Sequence, residues 1–196
     1  MAFYYQTAAL DDAFQTFSQF RLIAENLRGG VLAAWDHRRG ERVALKLIRA
    51  SGSETVRHRF IEEYGLLSAL RSARLIHVYH ASFHSSRTGT TTILTEGMPI
   101  EHHWYTMELG ESDVRRCLPT LSLGARIRIT MDLFDALCFL HVSGIAHRDI
   151  KPDNLFLFGA RSKLGDFGIA KTHHGRGGPS AVPEEAIGTP QYLAPE

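Results

Sequence analysis

HRDIKPDN, residues 147–154, sets two carboxylates, one amide and three basic or imidazole side chains into eight positions. The apolar runs GIA (144–146) and LFLF (155–158) flank it. Pro152 and its polar neighbours exclude a regular helix or a central strand here. The stretch reads as a loop held between a long helix before it and a strand after it, and loops anchored in this way are suited to carrying chemistry.

The rest of the chain narrows what that chemistry can be. With 196 residues, 44% hydrophobic and 22% charged, it has an ordinary globular composition, enough for one sizeable domain or two small lobes. A formal net charge of +1 gives no bulk attraction to nucleic acid or anionic membrane. The densest apolar stretch, LFDALCFL (133–140), is too short to span a bilayer and reads as core. The N-terminus MAFYYQTAALDD lacks a basic region followed by an apolar one, so it is no secretory signal. Cys117 and Cys138 lie in apolar or amphipathic segments and read as buried, reduced thiols of a cytoplasmic protein.

The first half of the chain is strand-rich. FRLIAENL (20–27), VLAAW (31–35) and RVALKLI (42–48) are expected strands, joined by the turn-prone RGG and DHRRG. A helix is expected over 51–71, with Ser51 and Glu54 as its capping box and Val56, Phe60, Tyr64 and Leu67 at helical spacing. Two more strands, 75–83 and 102–109, enclose a polar stretch from His84 to Glu101 that reads as an exposed excursion. From about Glu108 helices dominate: a short one at SDVRRCL (112–118), then a long one over 122–144 that ends at a glycine cap.

In RVALKLI, strand alternation puts Val43, Leu45 and Leu47 on one face and Ala44, Lys46 and Ile48 on the other. On the following helix Glu63 sits on or beside the apolar stripe. A half-buried charge is costly alone, so the two are expected to meet as a pair. The alternative is a snorkelling lysine and a solvent-edge glutamate. In the loop at 147–154, Asp149 can accept a hydroxyl proton, Lys151 can neutralise a transferred phosphate, and Asn154 can offer a hard amide oxygen to Mg²⁺. Asp166, twelve residues after Asn154, opens DFG and makes a plausible second Mg²⁺ ligand. The adjacent pairs His102–His103 and His173–His174 read as solvated loop residues, since strand neighbours point to opposite faces and do not easily share one ion.

Together VALK (43–46), HRDIKPDN (147–154), DFG (166–168) and APE (194–196) make the chain resemble the eukaryotic-type serine/threonine protein kinases, in the form common in bacteria. The resemblance runs from about Phe20 to the end of the chain. It implies an α+β, bilobal kinase-like fold: an N-terminal extension (1–19), an N-lobe of antiparallel sheet plus one helix (20–107), and a partial, mainly helical C-lobe through the activation segment (108–196). It implies transfer of the ATP γ-phosphate to Ser/Thr hydroxyls of a protein substrate with Mg²⁺, in the cytoplasm, with no nucleic acid and no membrane segment in this chain. By the resemblance, Lys46 would hold the α- and β-phosphates and pair with Glu63. Asp149 would be the base, Lys151 would contact the γ-phosphate, and Asn154 and Asp166 would hold metal. Met107 would be the gatekeeper, and Glu108 and Gly110 would offer hinge backbone groups. Val31, Ala44 and Phe156 would sandwich the adenine, while Leu67, Val78, His147 and Phe167 would form a stack of side chains.

The family's phosphate-covering loop, G-x-G-x-x-G-x-V, departs here to AENLRGGV. Ala24 and Asn26 replace two glycines and only Gly29 matches. The alternative reading is therefore a pseudokinase or nucleotide-binding scaffold. Regulation is expected through phosphate on Thr172 or Ser180 pairing with Arg148, while Thr189 reads as structural. The long helix carries two apolar stripes, Ile127-Met131-Phe134-Cys138 and Ile129-Leu133-Ala136-Leu137-Leu140. Two stripes demand two covered sides. Further C-lobe helices are accordingly expected downstream, and residues 1–196 alone are expected to be aggregation-prone and poorly active.

Overall fold

The computed structural model describes residues 16–26, 29–82, 91–95, 98–172 and 188–193. The chain divides into two compact units, Met1–Tyr64 with His77–Leu109, and Gly65–Ile76 with Gly110–Glu196.

The first unit is an antiparallel sheet of six strands. β1 (Phe17–Asn26), β2 (Gly29–Asp36) and β3 (Glu41–Arg49) are sequential neighbours; β4 (Val78–Ser82) and β5 (Thr91–Thr95) both pair with β6 (Met98–Glu108), which lies next to β3. The β2–β3 turn forms because Asp36 accepts from the backbone N–H groups of Arg38 and Arg39 at 2.9 and 3.2 Å, and Gly40 takes φ +67° to close it. The expected alternation in β3 is observed. Val43, Leu45 and Leu47 join Leu32, Ala34, Phe17 and Trp104 in one buried cluster. Within it Phe17 and Trp104 meet edge-to-face at 5.5 Å. Each large side chain so buried contributes about 1.5–3 kcal/mol. On the opposite face Tyr105 packs against Phe60 and Tyr64 at 4.9 and 5.6 Å between ring centres.

Phe60 and Tyr64 lie on α1 (Glu54–Ala69). Ser53 caps this helix, not Ser51: its Oγ accepts from Val56 N at 3.4 Å and its carbonyl from Val56 and Arg57. Both serines suit a cap chemically, but the turn closed by Gly52 N on Arg49 O holds Ser51 two residues too early. Within the stretch 84–101, of which residues 84–90 and 96–97 lie outside the described residues, two segments are strands. Thr91–Thr95 pairs with Met98–His102 as a hairpin, because the β-branched run TTILT is a strand former. His102 and His103 are buried in β6 and are not solvated loop residues, because this stretch is strand, paired in register with Arg49 and Ile48 of β3. His173 and His174 lie outside the described residues.

In the second unit β7 (Ser112–Asp113) leads into α2 (Val114–Cys117), capped by Asp113 accepting from Arg116 N at 2.9 Å. α3 (Leu123–Val142) follows, N-capped by Ser122 and terminated at Gly144, φ +70°. β8 (Ile145–Ala146) pairs with β11 (Lys171–Thr172), and β9 (Leu155–Phe158) lies between β7 and β10 (Arg161–Leu164). One α3 stripe packs as expected, with Ile129, Ala136 and Leu140 buried. The other faces outward: Ile127 is 52%, Met131 61% and Phe134 62% exposed. Cys138 on that stripe is exposed too and Cys117 is half-buried, so neither is the buried thiol expected from the flanking apolar residues.

A buried polar knot joins α3 to the hairpin behind the 147–154 loop. The Asp132 carboxylate, 3% exposed, accepts from Arg161 Nε and Nη2 at 3.0 and 2.6 Å and from Ser162 N at 2.8 Å. Arg74 Nε adds a contact at 3.4 Å. Among the described residues no helix is long and apolar enough to cross a membrane.

Candidate active site

The first unit carries one cluster of expected site residues. In the register of the sheet, Val31, Lys46 and Tyr105 lie side by side on β2, β3 and β6. Lys46 Nζ meets both Glu63 oxygens, at 2.7 and 2.9 Å, with the Glu63 side chain only 4% exposed. The anticipated pair is therefore formed; the buried glutamate holds the ammonium at a fixed point on the strand. Ala44 is buried and pairs in register with Met107, and Glu108 N donates to His77 O at 2.9 Å.

Gly29 matches the family motif, yet its local reason is packing. A Cβ there would stand 2.0 Å from the Leu47 carbonyl oxygen. Gly30 is constrained the same way, with a Cβ 2.9 Å from Ala24 O. Leu27 and Arg28 of the glycine-poor loop lie outside the described residues.

The second unit holds the other cluster, built around two backbone outliers. Arg148 and Asp166 both take positive φ, +66° and +60°. Non-glycine residues there carry strain of about 1 kcal/mol or more, and surrounding structure must impose it. His147 imposes part of it. It is 2% exposed, its Nδ1 accepts from Asp149 N at 3.3 Å, and its Nε2 faces Gly165 O at 3.1 Å. An N–H donating to Nδ1 leaves the ring's proton on Nε2, which then donates to the carbonyl. Burial pushes the His147 pKa down and keeps this neutral form, against the smaller upward pull of the Gly165 contact. The ring also packs edge-on against Phe167 at 4.6 Å, so one imidazole ties the 147–154 loop to DFG.

Asp149 is gripped on both oxygens. Oδ2 accepts from Lys151 Nζ at 2.7 Å and Asn154 Nδ2 at 3.0 Å, and Oδ1 from Thr189 Oγ1 at 2.7 Å. Burial alone would raise its pKa; the hydrogen bonds from Lys151, Thr189 and Asn154 outweigh that and hold the carboxyl below its ordinary value. Asn154 is buried and also donates to Asp149 O at 2.8 Å. Both bonds use its amide nitrogen, so the amide oxygen is the atom left to meet a cation. Asp166 is exposed, and Gly165 N donating to Asn154 O at 2.9 Å fastens its approach to the Asn154 loop.

Phe156 on β9 sits in a slot that only glycines permit. A Cβ on Gly110 would lie 2.9 Å from Phe156 Cβ, and one on Gly165 would lie 3.0 Å from its ring. Arg148 Nε donates to Ile169 O at 2.7 Å, Thr172 lies in β11, and Ser180 is outside the described residues.

Three features escaped the sequence reading. Thr189 bridges Asp149 and Lys151 directly, its hydroxyl also accepting from Lys151 Nζ at 2.9 Å. Arg115 Nη1 donates to Tyr192 Oη at 2.8 Å, a partner 77 positions away. Asp132 offered one signal, a carboxylate three residues after Ile129 and four before Ala136 on the buried stripe.

The family model for the protein kinase domain matches residues 17–196. The chain belongs to the protein kinase domain family. It is 32% identical over 181 residues to the serine/threonine-protein kinase PknA of Mycobacterium tuberculosis, which covers 90% of this chain and 40% of that protein. It is 29% identical over 172 residues to the probable serine/threonine-protein kinase zyg-1 of Caenorhabditis briggsae, covering 85% of this chain and 22% of the relative. The serine/threonine-protein kinase PknD of Chlamydia muridarum is 27% identical over 210 residues, covering 93% of this chain and 22% of the relative. The chain thus spans two fifths or less of the curated relatives it matches. The α+β fold, with its antiparallel sheet, single sheet-packed helix and mainly helical second unit, is the kinase fold expected from the motifs.

Proposed function

We propose that this kinase domain transfers the γ-phosphate of ATP to serine or threonine hydroxyls of protein substrates. One observation carries the reading: the Asp149 carboxylate is held ionised by Lys151, Asn154 and Thr189 at the head of a strained, anchored loop. An ionised carboxylate can accept the hydroxyl proton as the acceptor oxygen attacks phosphorus. Lys151, beside it, balances charge on the phosphate in transfer. Lys46, fixed by Glu63, binds the α- and β-phosphates, and Val31, Ala44 and Phe156 supply apolar contacts to the adenine. Met107 acts as gatekeeper, and Glu108 and Gly110 present backbone groups to the base. Gly29 keeps the strand that leaves the phosphate loop flush against β3.

The donor set also fits Mg²⁺. Asn154 has its amide oxygen available and Asp166 lies at an exposed position. Two hard oxygen ligands suit an ion that takes few protein groups. When bound, Mg²⁺ supplies positive charge to the phosphates. Free Cys117 and Cys138 suit a reducing, cytoplasmic setting.

A second reading, a nucleotide-binding scaffold without catalysis, draws on Ala24 and Asn26 and on the packing need for Gly29 and Gly30, which removes those glycines as evidence of phosphate contact. Radiolabelled ATP with a generic protein substrate separates the two. The encoded protein is expected to label serine or threonine, while Asp149→Asn binds Mg·ATP nearly as before and transfers nothing. Equal turnover in Asp149→Asn refutes the assigned base.

A further inference from the structure

Next to Asp149 the second unit has an open cavity of about 290 Å³, lined in part by Arg115, Lys151, Asp153, Thr189 and Tyr192. Lys151 and Thr189 are the groups that hydrogen-bond the Asp149 carboxylate. A side chain entering this cavity therefore lies close to an acceptor hydroxyl at Asp149.

The charges in the cavity are unevenly committed. Lys151 is paired with Asp149 at 2.7 Å. Arg115 is half exposed, anchored by Tyr192 Oη at 2.8 Å, and only loosely paired with Asp153, at 3.5 Å. Its Nη2 makes no hydrogen bond among the described residues. Among the described residues of the lining Asp153 is the single carboxylate, against two cations, Arg115 and Lys151. An incoming cation would have to share Asp153 with Arg115 and face Lys151 as well. An incoming anion finds a guanidinium already oriented, with donors to spare.

We propose that this cavity selects a residue flanking the phosphoacceptor, and that Arg115, oriented by Tyr192 and Asp153, makes it favour an anionic side chain, a carboxylate or a phosphate. This rests on the kinase reading above and names its substrate class: serine or threonine beside an acidic or already phosphorylated residue. Arg115 is a specificity-determining residue here; it does not act on the transferring phosphate.

The test is a positional peptide set with one fixed serine acceptor, in which each flanking position in turn is Glu, phosphoserine, Gln or Lys, assayed with radiolabelled ATP and the encoded full-length protein. At one flanking position kcat/KM for Glu is expected to exceed that for Lys by about tenfold, the size of one charge-assisted contact. The phosphoserine peptide distinguishes phosphate from carboxylate as the preferred anion. Arg115→Glu should reverse the Glu-to-Lys order at that position, and Arg115→Lys should keep it in weaker form. Ratios taken within each variant cancel any loss of folded enzyme. Peptides phosphorylated with no such preference, or with an order unchanged in Arg115→Glu, overturn the role of Arg115 and leave the kinase reading standing. Phosphorylation of no peptide by the wild-type protein overturns both.

Discussion

Replacing Asp132 by Asn tests whether the polar knot behind the 147–154 loop holds the second unit together. The side chain keeps its volume but loses its charge and one acceptor oxygen. In the native fold those oxygens serve Arg161 Nε and Nη2, Ser162 N and Arg74 Nε, and the carboxylate is 3% exposed. An amide NH₂ must then face at least one of these donors. Breaking a fully buried pair costs about 3–5 kcal/mol. Arg161 is 53% and Arg74 19% exposed, so both regain water, and their share must be discounted. What remains is the loss of charge-assisted bonds and the risk of stranding Ser162 N, about 2–3 kcal/mol in all. In urea unfolding followed by circular dichroism, with a slope of about 1–3 kcal/mol per molar, the midpoint should fall by roughly 1–2 M with the slope unchanged. Arg161→Ala, at the exposed end, should cost less than half as much. An Asp132→Asn midpoint within about 0.2 M of wild type would show that the knot is an ornament of the surface and that the reasoning is wrong.

Gly29→Ala should be among the most damaging changes in the first unit. Its Cβ would sit 2.0 Å from the Leu47 carbonyl, so the β2–β3 ladder must part, at about 3 kcal/mol in a melt. Asp166→Ala should leave nucleotide binding without its Mg²⁺ enhancement in titration calorimetry; an enhancement equal to wild type would remove Asp166 from the metal site. For His147, burial lowers the folded pKa below the unfolded value, so its contribution is complete above about pH 6.5. It is lost as pH falls from there toward the folded pKa. The wild-type stability curve should therefore decline from pH 7 to 5 by up to about 1.4 kcal/mol per pH unit for this one proton, and His147→Gln should flatten that limb. An equally steep limb in the variant would clear His147 of the effect.

How much of this was legible in the sequence depended on how far each partner lay along the chain. Lys46 and Glu63 were expected to meet because strand alternation and helical spacing each put a charge on an apolar face within 17 residues. The Asp149 loop announced itself by its density of polar groups. Asp132 did not, since its partners Arg74 and Arg161 come from distant segments and neither shows a local pattern. The histidines of β6 misled because adjacent polar residues suggest solvent, whereas both lie within a strand of the sheet and are covered there, at 7% and 4% exposure. Ser53 replaced Ser51 as the cap through a turn whose register composition does not reveal. The pairing of Arg115 with Tyr192 depends on the course of the chain after DFG, which no periodicity describes.

The grip on Asp149 also fixes a direction. A carboxylate offers about four lone-pair sites, two on each oxygen. Lys151 and Asn154 fill both sites on Oδ2, and Thr189 fills one on Oδ1. A single site remains, on Oδ1, next to the threonine hydroxyl. Any arriving hydroxyl must dock along that one vector, so the angle at which an acceptor oxygen is presented is set by valence, before any wider shape of the substrate is felt. Thr189→Val would open a second site on the same oxygen and loosen that angle, turning one permitted approach into two.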